Sequence, residues 1–428
     1  MARYSQYGNS LVERRTMLRG SLGAAALVGL QACASATRLA QTSAAPPPPA
    51  PGKTASLVPI RVTPDQLIDL KCCLRPLRAA GPNLGNEMVR DTLVIHNYGH
   101  GGSGWSLSWG SADVAIGKAL TALPKEIAVI GCGIIGLTTA VLAQQYGLKV
   151  TIYSRDTIQR SRSFRASGSF TPGSRIALAE PAGPAFGDLW EQMARFSWKA
   201  FRTCLGLPGK PVEFADNYAL SDTPPQRRVW TPNPAITDSY ATKGVPLQHS
   251  EFAHLDERIR DIVPQSVALS DEENPFNVAY ATRTSQMHFN FSSYAHMLLT
   301  EFFGRGGQYV MRDFATPAQF ADLKEKVVIH CTGYAARDLM KDTTVIPVRG
   351  QTGWLVPQPE ANYGVRYKNV ILLSKADGVV VQSNISNPDM GDMLGVGNSM
   401  ELANRADTEA ALKIIAPIFA PPVRRAGA

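Results

Sequence analysis

Ile127-Ala128-Val129-Ile130-Gly131-Cys132-Gly133-Ile134-Ile135-Gly136 is the stretch that decides the fold. Its first four residues are an apolar run of the length expected for a buried parallel strand. The glycines follow in a G-x-G-x-x-G pattern. Gly131 permits a tight turn, Gly133 lets backbone approach a pyrophosphate, and Gly136 allows a helix to pack closely on the strand. Leu137 to Tyr146 then carries helical spacing and stops at Gly147, and Val150-Thr151-Ile152-Tyr153 reads as a second strand. Asp156 follows, placed to hold a ribose hydroxyl. Strand, glycine turn, helix, strand and acid in this order predict a Rossmann-like α/β unit that binds a dinucleotide. The motif alone does not separate FAD from NAD.

Upstream, Val94-Ile95-His96-Asn97-Tyr98-Gly99-His100-Gly101-Gly102-Ser103-Gly104 leads into Trp105 to Ala112. Glycines at 99, 101, 102 and 104 would let backbone approach a flat ring system. A helix starting near Trp105 would favour negative charge at its N-terminus. Arg75, in Leu74-Arg75-Pro76-Leu77-Arg78, offers a forked donor pair that matches a carboxylate.

The 94–112 stretch resembles the signature of the D-amino acid oxidase family at each specified position, and 74–78 resembles that family's R-P-x-R element. Ser161 to Gly168 with Phe170 and Pro172, His330-Cys331-Thr332-Gly333 and Arg349-Gly350-Gln351 resemble three further family segments. The resemblance covers residues 66–420 in outline. It implies an FAD-binding Rossmann-like domain under a substrate domain built on an antiparallel or mixed sheet. It also implies oxidative deamination of a small D-amino acid: hydride passes from the α-carbon to flavin, and the products are a keto acid, ammonia and hydrogen peroxide. The catalytic positions it implies are Arg75 for the substrate carboxylate, the Gly102 carbonyl for the amino group, and Tyr367. Cofactor contacts would come from Gly131, Gly133, Ile134, Ile135, Gly136, Arg155, Asp156, Arg162, Ser163, Gly168 and Thr332, and from Gly101 to Trp105 (Gly101, Gly102, Ser103, Gly104, Trp105).

This sequence departs from the family pattern in two ways. The R-P-x-R and His-Asn-Tyr-Gly segments close the chain in the family but precede the dinucleotide motif here, so the order reads as a circular permutation, with Leu120 to Lys125 as the joint. The family also carries two lid tyrosines four residues apart. Here Tyr367 keeps the first and Ile371 replaces the second, leaving Tyr363 as a substitute. Gln382-Ser383-Asn384 stands where a glycine pair is expected, and His330 stands in place of Asn. The expected division is residues 58–168 with 286–345 for the FAD domain and 169–285 with 346–428 for the substrate domain. Substrate identity stays open among D-amino acids, glycine and D-aspartate, handled by an oxidase or a dehydrogenase. A flavin-binding envelope lipoprotein with impaired catalysis is the other class.

The front of the chain reads as an address. Arg14-Arg15 precedes a small-residue apolar stretch, Ser21 to Leu30, which is too short to span a bilayer. Leu30-Gln31-Ala32-Cys33 resembles a lipobox, with cleavage after Ala36 as the competitor. Residues 1–33 are thus expected to be a twin-arginine, lipoprotein-like signal, and 34–57 a Pro-rich linker. The implied location is the bacterial envelope or periplasm, with possible membrane attachment through lipidated Cys33. The net charge is +8, of which 4 − 1 = +3 comes from Arg3, Arg14, Arg15 and Arg19 against Glu13. The remaining mild excess suits small anions and gives no support to nucleic acid. The spacing of the six cysteines fits no disulfide framework or zinc site. Cys72 and Cys73 read as buried apolar residues, with a vicinal disulfide as the alternative.

Overall fold

Two β-sheets organise the molecule, and each is assembled from strands far apart in the chain. The computed structural model describes residues 57–224, 255–383 and 394–420. The signal, the tether up to residue 56, Asn384 and Pro421-Pro422 lie outside the described residues. Residues 53–428 form one compact unit.

The first sheet contains β2 (Asn86–Val89), β3 (Thr92–His96), β4 (Glu126–Ile130), β5 (Lys149–Ser154), β9 (Gln308–Met311) and β10 (Val327–His330), in the order β2-β3-β10-β4-β5-β9. Every pairing is parallel except β2 with β3. Ile127, Ala128, Val129 and Ile130 are all buried because alternate residues enter different cores. Ile127 and Val129 meet helices α1 (Gly104–Leu120) and α2 (Ile134–Gln145), whereas Ala128 and Ile130 meet Phe314 and Phe320 on the other face. Such double burial explains the unbroken apolar run. Helix α1 packs on α3 (Phe186–Arg202) at very close range: a Cβ on Gly110 would lie 2.1 Å from the Met193 carbonyl oxygen. A turn at residues 121–125 joins α1 to β4.

The second sheet is mixed. Its strands are β1 (Leu67–Leu77), β6 (Val212–Ser221), β7 (Val267–Ala268), β8 (Tyr280–Phe289), β11 (Ile346–Leu355), β12 (Tyr363–Tyr367), β13 (Val370–Lys375) and β14 (Gly378–Ser383). The order is β1-β11-β14-β13-β12-β6-β8-β7, with only β12 and β6 parallel. Strand β1, grouped by sequence with the FAD domain, lies here as the edge partner of β11. One face carries Val365, Tyr367, Leu372, Val379 and Val381 into a core with α5 (Arg405–Ile415). Helix α4 (Phe291–Gly304) packs in the main core beside α2. Ile60 and Val62, near the start of the described chain, share the α5 core with Ile415 and Ile418, near its end.

Cys72, Cys73, Cys132, Cys204 and Cys331 are free and buried, so the vicinal pair is not bridged.

Candidate active site

A cavity of about 1260 Å³ opens between the glycine turn after β4 and the second face of the mixed sheet. It exceeds the roughly 300–1,000 Å³ of an ordinary small-molecule pocket and so has room for an extended dinucleotide with a small substrate.

At one end, Gly131 adopts φ +101°, and its N–H donates to the Tyr153 carbonyl at 2.8 Å. That left-handed turn delivers the chain into α2. A Cβ on Gly136 would lie 2.0 Å from the Gly131 carbonyl oxygen, so the third glycine is demanded by packing alone. Gly131, Gly133, Ile134 and Ile135 line the cavity; Gly136 does not. The Ile134 N–H, first in the helix, donates to Ser163 Oγ at 3.0 Å. A helix N-terminus aimed at a cavity is suited to phosphate oxygens. Arg155, Asp156, Arg162, Ser163 and Thr332 also line the space. Arg155 Nε donates to Asp156 Oδ2 at 3.0 Å. Thr332 Oγ1 lies 2.6 Å from His330 Nε2, and His330 lies 3.2 Å from His96 Nδ1, deep in the sheet. Burial drives the His330 pKa down to about 3 and keeps the ring neutral.

Gly101, Gly102, Gly104 and Trp105 border the middle of the cavity, whereas Ser103 and Gly168 stand behind its wall. The glycines here have a more immediate cause than a flat ligand. A Cβ on Gly101 would lie 1.7 Å from the Arg175 carbonyl oxygen, and one on Gly102 would lie 2.5 Å from Ser174 Oγ. Ser103 Oγ donates to the Ser174 carbonyl at 2.8 Å, fastening the same approach. Trp105 Nε1 donates to the Ser163 carbonyl at 2.9 Å. The loop is thus clamped to segments 161–163 and 174–175. Asn97 and His100 also border the cavity, and burial lowers the His100 pKa to about 3.

At the other end, Arg75 lines the cavity and has no carboxylate partner among the described residues. Its guanidinium rests against the α-carbon of Gly350, where a Cβ would lie 2.4 Å from Nη1. Arg349 and Gln351 flank that notch and hold the 400–404 segment. Arg349 Nε donates to the Met400 carbonyl at 3.0 Å and Gln351 Nε2 to the Asn404 carbonyl at 2.6 Å. Within that segment Glu401 pairs with both Arg162 and Arg165, at 2.7 Å to Arg165. Burial works against ionisation of Glu401, but the two guanidiniums hold its pKa below the usual value. Arg78, the second arginine of the upstream element, is committed to structure: Nε lies 3.2 Å from Asp342 Oδ2.

Tyr367 is not brought to this cavity. Side chains alternate along a strand, so Arg366 faces the cavity while Tyr367 enters the opposite core and donates to Asp222 Oδ2 at 2.9 Å. Tyr363 behaves likewise, its hydroxyl donating to the Val58 carbonyl at 2.8 Å. The cavity face of the sheet instead presents Gln382, Ile371, Arg366, Asn217 and Thr284. Period-two alternation along β12 could have flagged Arg366. The cross-strand rows could not have been read without the register.

A Rossmann-type glycine turn and a helix N-terminus on one large cavity, whose charged lining is more basic than acidic, are suited to a dinucleotide. A family model described as FAD dependent oxidoreductase matches residues 126–422. The chain belongs to that family, and FAD is its cofactor. The chain is 27% identical to a D-amino-acid oxidase of Streptomyces coelicolor over 230 residues, 53% of this chain and 58% of that one. It is 46% identical to a D-aspartate oxidase of Cryptococcus neoformans over 52 residues, 12% of this chain and 13% of the relative. It therefore spans little more than half of the first curated relative and a small part of the second. Among solved structures, glycine oxidase from Geobacillus kaustophilus is 11% identical with a TM-score of 0.39, covering 70% of this chain and 95% of that one.

Proposed function

We propose that the protein oxidises a small D-amino acid with FAD to the imino acid, which water hydrolyses to a keto acid and ammonia, and that the electrons pass on to dioxygen to form hydrogen peroxide. The observation that carries this reading is the Arg75 guanidinium, without a carboxylate partner among the described residues and seated on Gly350 in the same cavity as the glycine turn and the 101–105 loop. The D-amino-acid oxidase of S. coelicolor is a relative in keeping with it. Bound FAD supplies the hydride acceptor. Arg75 donates two parallel hydrogen bonds to the substrate carboxylate, a charge-assisted pairing that fixes the α-carbon. The Gly102 carbonyl accepts from the amino group. His100 stays neutral in its buried seat, so the chain's contribution is orientation and charge placement. Anaerobic titration of the holoprotein with a panel of D-amino acids tests the reading: bleaching of the flavin absorbance is expected. A flavin left oxidised by the whole panel would favour the impaired flavin-binding alternative, to which apolar Ile371 on the cavity wall gives some weight.

The proposal includes a permuted chain order. The family match begins at residue 126, yet β1, β3 and α1 precede it and complete both sheets. The shared core of Ile60, Val62, Ile415 and Ile418 and the short 121–125 turn are the two junctions such a rearrangement requires. A gene restarted at Glu126, with 420 linked to 57 and ending after Leu120, should give a folded, FAD-loaded protein. Failure to bind FAD would count against the permutation. The reading also carries export by Arg14-Arg15 and anchoring at Cys33. Replacing both arginines with lysine should hold the precursor in the cytoplasm, and normal export of that variant would remove the assignment.

A further inference from the structure

A line of hydrogen bonds crosses the parallel sheet from the surface to the cavity. It starts at Glu87 on the edge strand β2, whose side chain is half exposed. Glu87 Oε1 lies 3.2 Å from His96 Nε2, His96 Nδ1 lies 3.2 Å from His330 Nδ1, and His330 Nε2 lies 2.6 Å from Thr332 Oγ1. Thr332 borders the cavity beside the glycine turn, where a Cβ on Gly131 would lie 3.3 Å from its α-carbon. Tyr98 lies against both imidazoles and Phe320 against His330. All four ring nitrogens are used in this line. Arg78 and Asp342, the other charges that act on His96, are taken up with each other and with the Tyr98 hydroxyl.

Donor and acceptor must alternate along such a line, so one end fixes the other. An ionised carboxylate can only accept, and His96 must then carry its proton on Nε2. Burial outweighs the attraction of Glu87 and lowers the His96 pKa, so the ring is neutral near pH 7 and its Nδ1 is bare. His330 Nδ1 must donate to that bare nitrogen. His330 is neutral too, so its Nε2 is bare in turn and accepts from the Thr332 hydroxyl. The hydroxyl proton is thereby committed to the sheet, and Thr332 has lone pairs alone to offer the cavity.

We infer that Glu87, His96 and His330 are positioning residues that make Thr332 a fixed hydrogen-bond acceptor towards the cavity, where it holds a hydroxyl group of the cofactor. A phosphate oxygen has no proton to give and gains nothing at that spot; the N-terminus of α2 at Ile134 is the place for it. FAD carries hydroxyls on its ribityl chain and on its ribose, and either can donate. The imidazole at 330 is what fixes the direction. An Asn there, as in the family pattern, would present a donor and an acceptor in one carboxamide and leave the Thr332 proton uncommitted. The inference rests on FAD as the cofactor and is independent of the substrate oxidised.

Two measurements on the FAD-loaded protein test this without any turnover. The first is 15N NMR of histidine-labelled protein, in which protonated and bare ring nitrogens give well-separated signals. His96 should carry its proton on Nε2 and His330 on Nδ1. A lysine ammonium can only donate, so Glu87→Lys should invert both rings. The opposite tautomers in wild type, a doubly protonated His96, or rings left unchanged by Glu87→Lys overturn the inference. The second is the rate of FAD release, followed by flavin fluorescence. Loss of one hydrogen bond should speed release about three- to tenfold in Thr332→Val, while Thr332→Ser stays near wild type. Glu87→Lys should also speed release, but not in the Thr332→Val background. Equal rates in all variants, or a Glu87→Lys effect that survives Thr332→Val, overturn the role of Thr332. Competition by ADP against FAD then assigns the hydroxyl: weakening of ADP by Thr332→Val places it on the ribose, and unchanged ADP binding with faster FAD release places it on the ribityl chain. Neither measurement involves a substrate, so failure of the amino acid oxidase reading leaves both intact.

Discussion

The two ends of the cavity are built by opposite means. The end at the glycine turn is made of backbone: the Gly131 turn, the first N–H of α2 and, beside them, the clamped 101–105 loop. Each of its two segments, 101–105 and 131–136, is continuous in the chain. The Arg75 end is made of side chains on β1, β12, β13 and β14, brought together only by strand register. Backbone sites tolerate almost no substitution, because an added Cβ meets main-chain atoms that cannot rotate away. Side-chain sites can be re-tuned one residue at a time. The contrast predicts where changes should be catastrophic and where graded.

The largest effect belongs to Gly136→Ala. The added Cβ falls 2.0 Å from the Gly131 oxygen, so the turn must open and FAD should be lost almost completely. Flavin absorbance per mole of purified protein measures this. Gly117→Ala, where the added Cβ meets nothing within 4 Å, is the control and should keep full cofactor content. Equal cofactor content in the two variants would erase the proposed distinction between the ends.

Arg75→Ala comes next. A charge-assisted hydrogen bond contributes about 1.5–3 kcal/mol, so substrate binding should weaken by about ten- to a hundred-fold or more. FAD content should stay unchanged. Gly350→Ala should mimic it, since its Cβ would displace the Arg75 guanidinium. Normal substrate binding by Gly350→Ala would mean that Arg75 holds its position by other means.

Acid should weaken the fold through three buried histidines. His100, His288 and His330 have pKa values pressed to about 3 by burial, against an ordinary value of 6.5. The unfolded chain takes up these protons at higher pH than the folded one. Their contribution to stability is therefore complete above about pH 6.5 and drains as the pH falls towards 3. Urea midpoints across that range should fall steadily with acidification. A flat profile would show that the buried rings are protonated without cost.

The smallest effect is expected at Tyr367→Phe. It removes a partly buried hydrogen bond to Asp222 on the far face of the sheet and should cost about 1 kcal/mol of stability with no change in kinetics. A changed KM would show that Tyr367 reaches the substrate after all.

The same contrast explains what could be read from the sequence. The turn, α2 and β5 were legible from Ile127 to Asp156 because a dinucleotide cradle is a local structure with a fixed spacing. The place of Arg75 on the cavity wall was legible through its neighbours in a family element. Tyr367 was misplaced because an alignment of residue types does not say which face of a strand a position occupies, and a shift of one residue moves a side chain to the other core. The place of β1 in the mixed sheet was not legible for a similar reason: its partner β11 lies far along the chain, and no local pattern announces it. The glycines at 101 and 102 were legible as necessary, but the close approach that requires them, to Ser174 and Arg175, was not.

Strand β1 carries a further consequence, for the order in which the molecule can be made. Leu67 pairs with Leu355, so 355 − 67 = 288 residues separate the first strand from its neighbour. Relative to a ten-residue hairpin, closing such a span costs about 3 kcal/mol more in chain entropy. During synthesis the Arg75 strand emerges early and waits, its edge unpaired, until β11 has been made. The pairing that seats Arg75 in the sheet is thus among the last available to the growing chain, and long-range pairing of this kind slows folding.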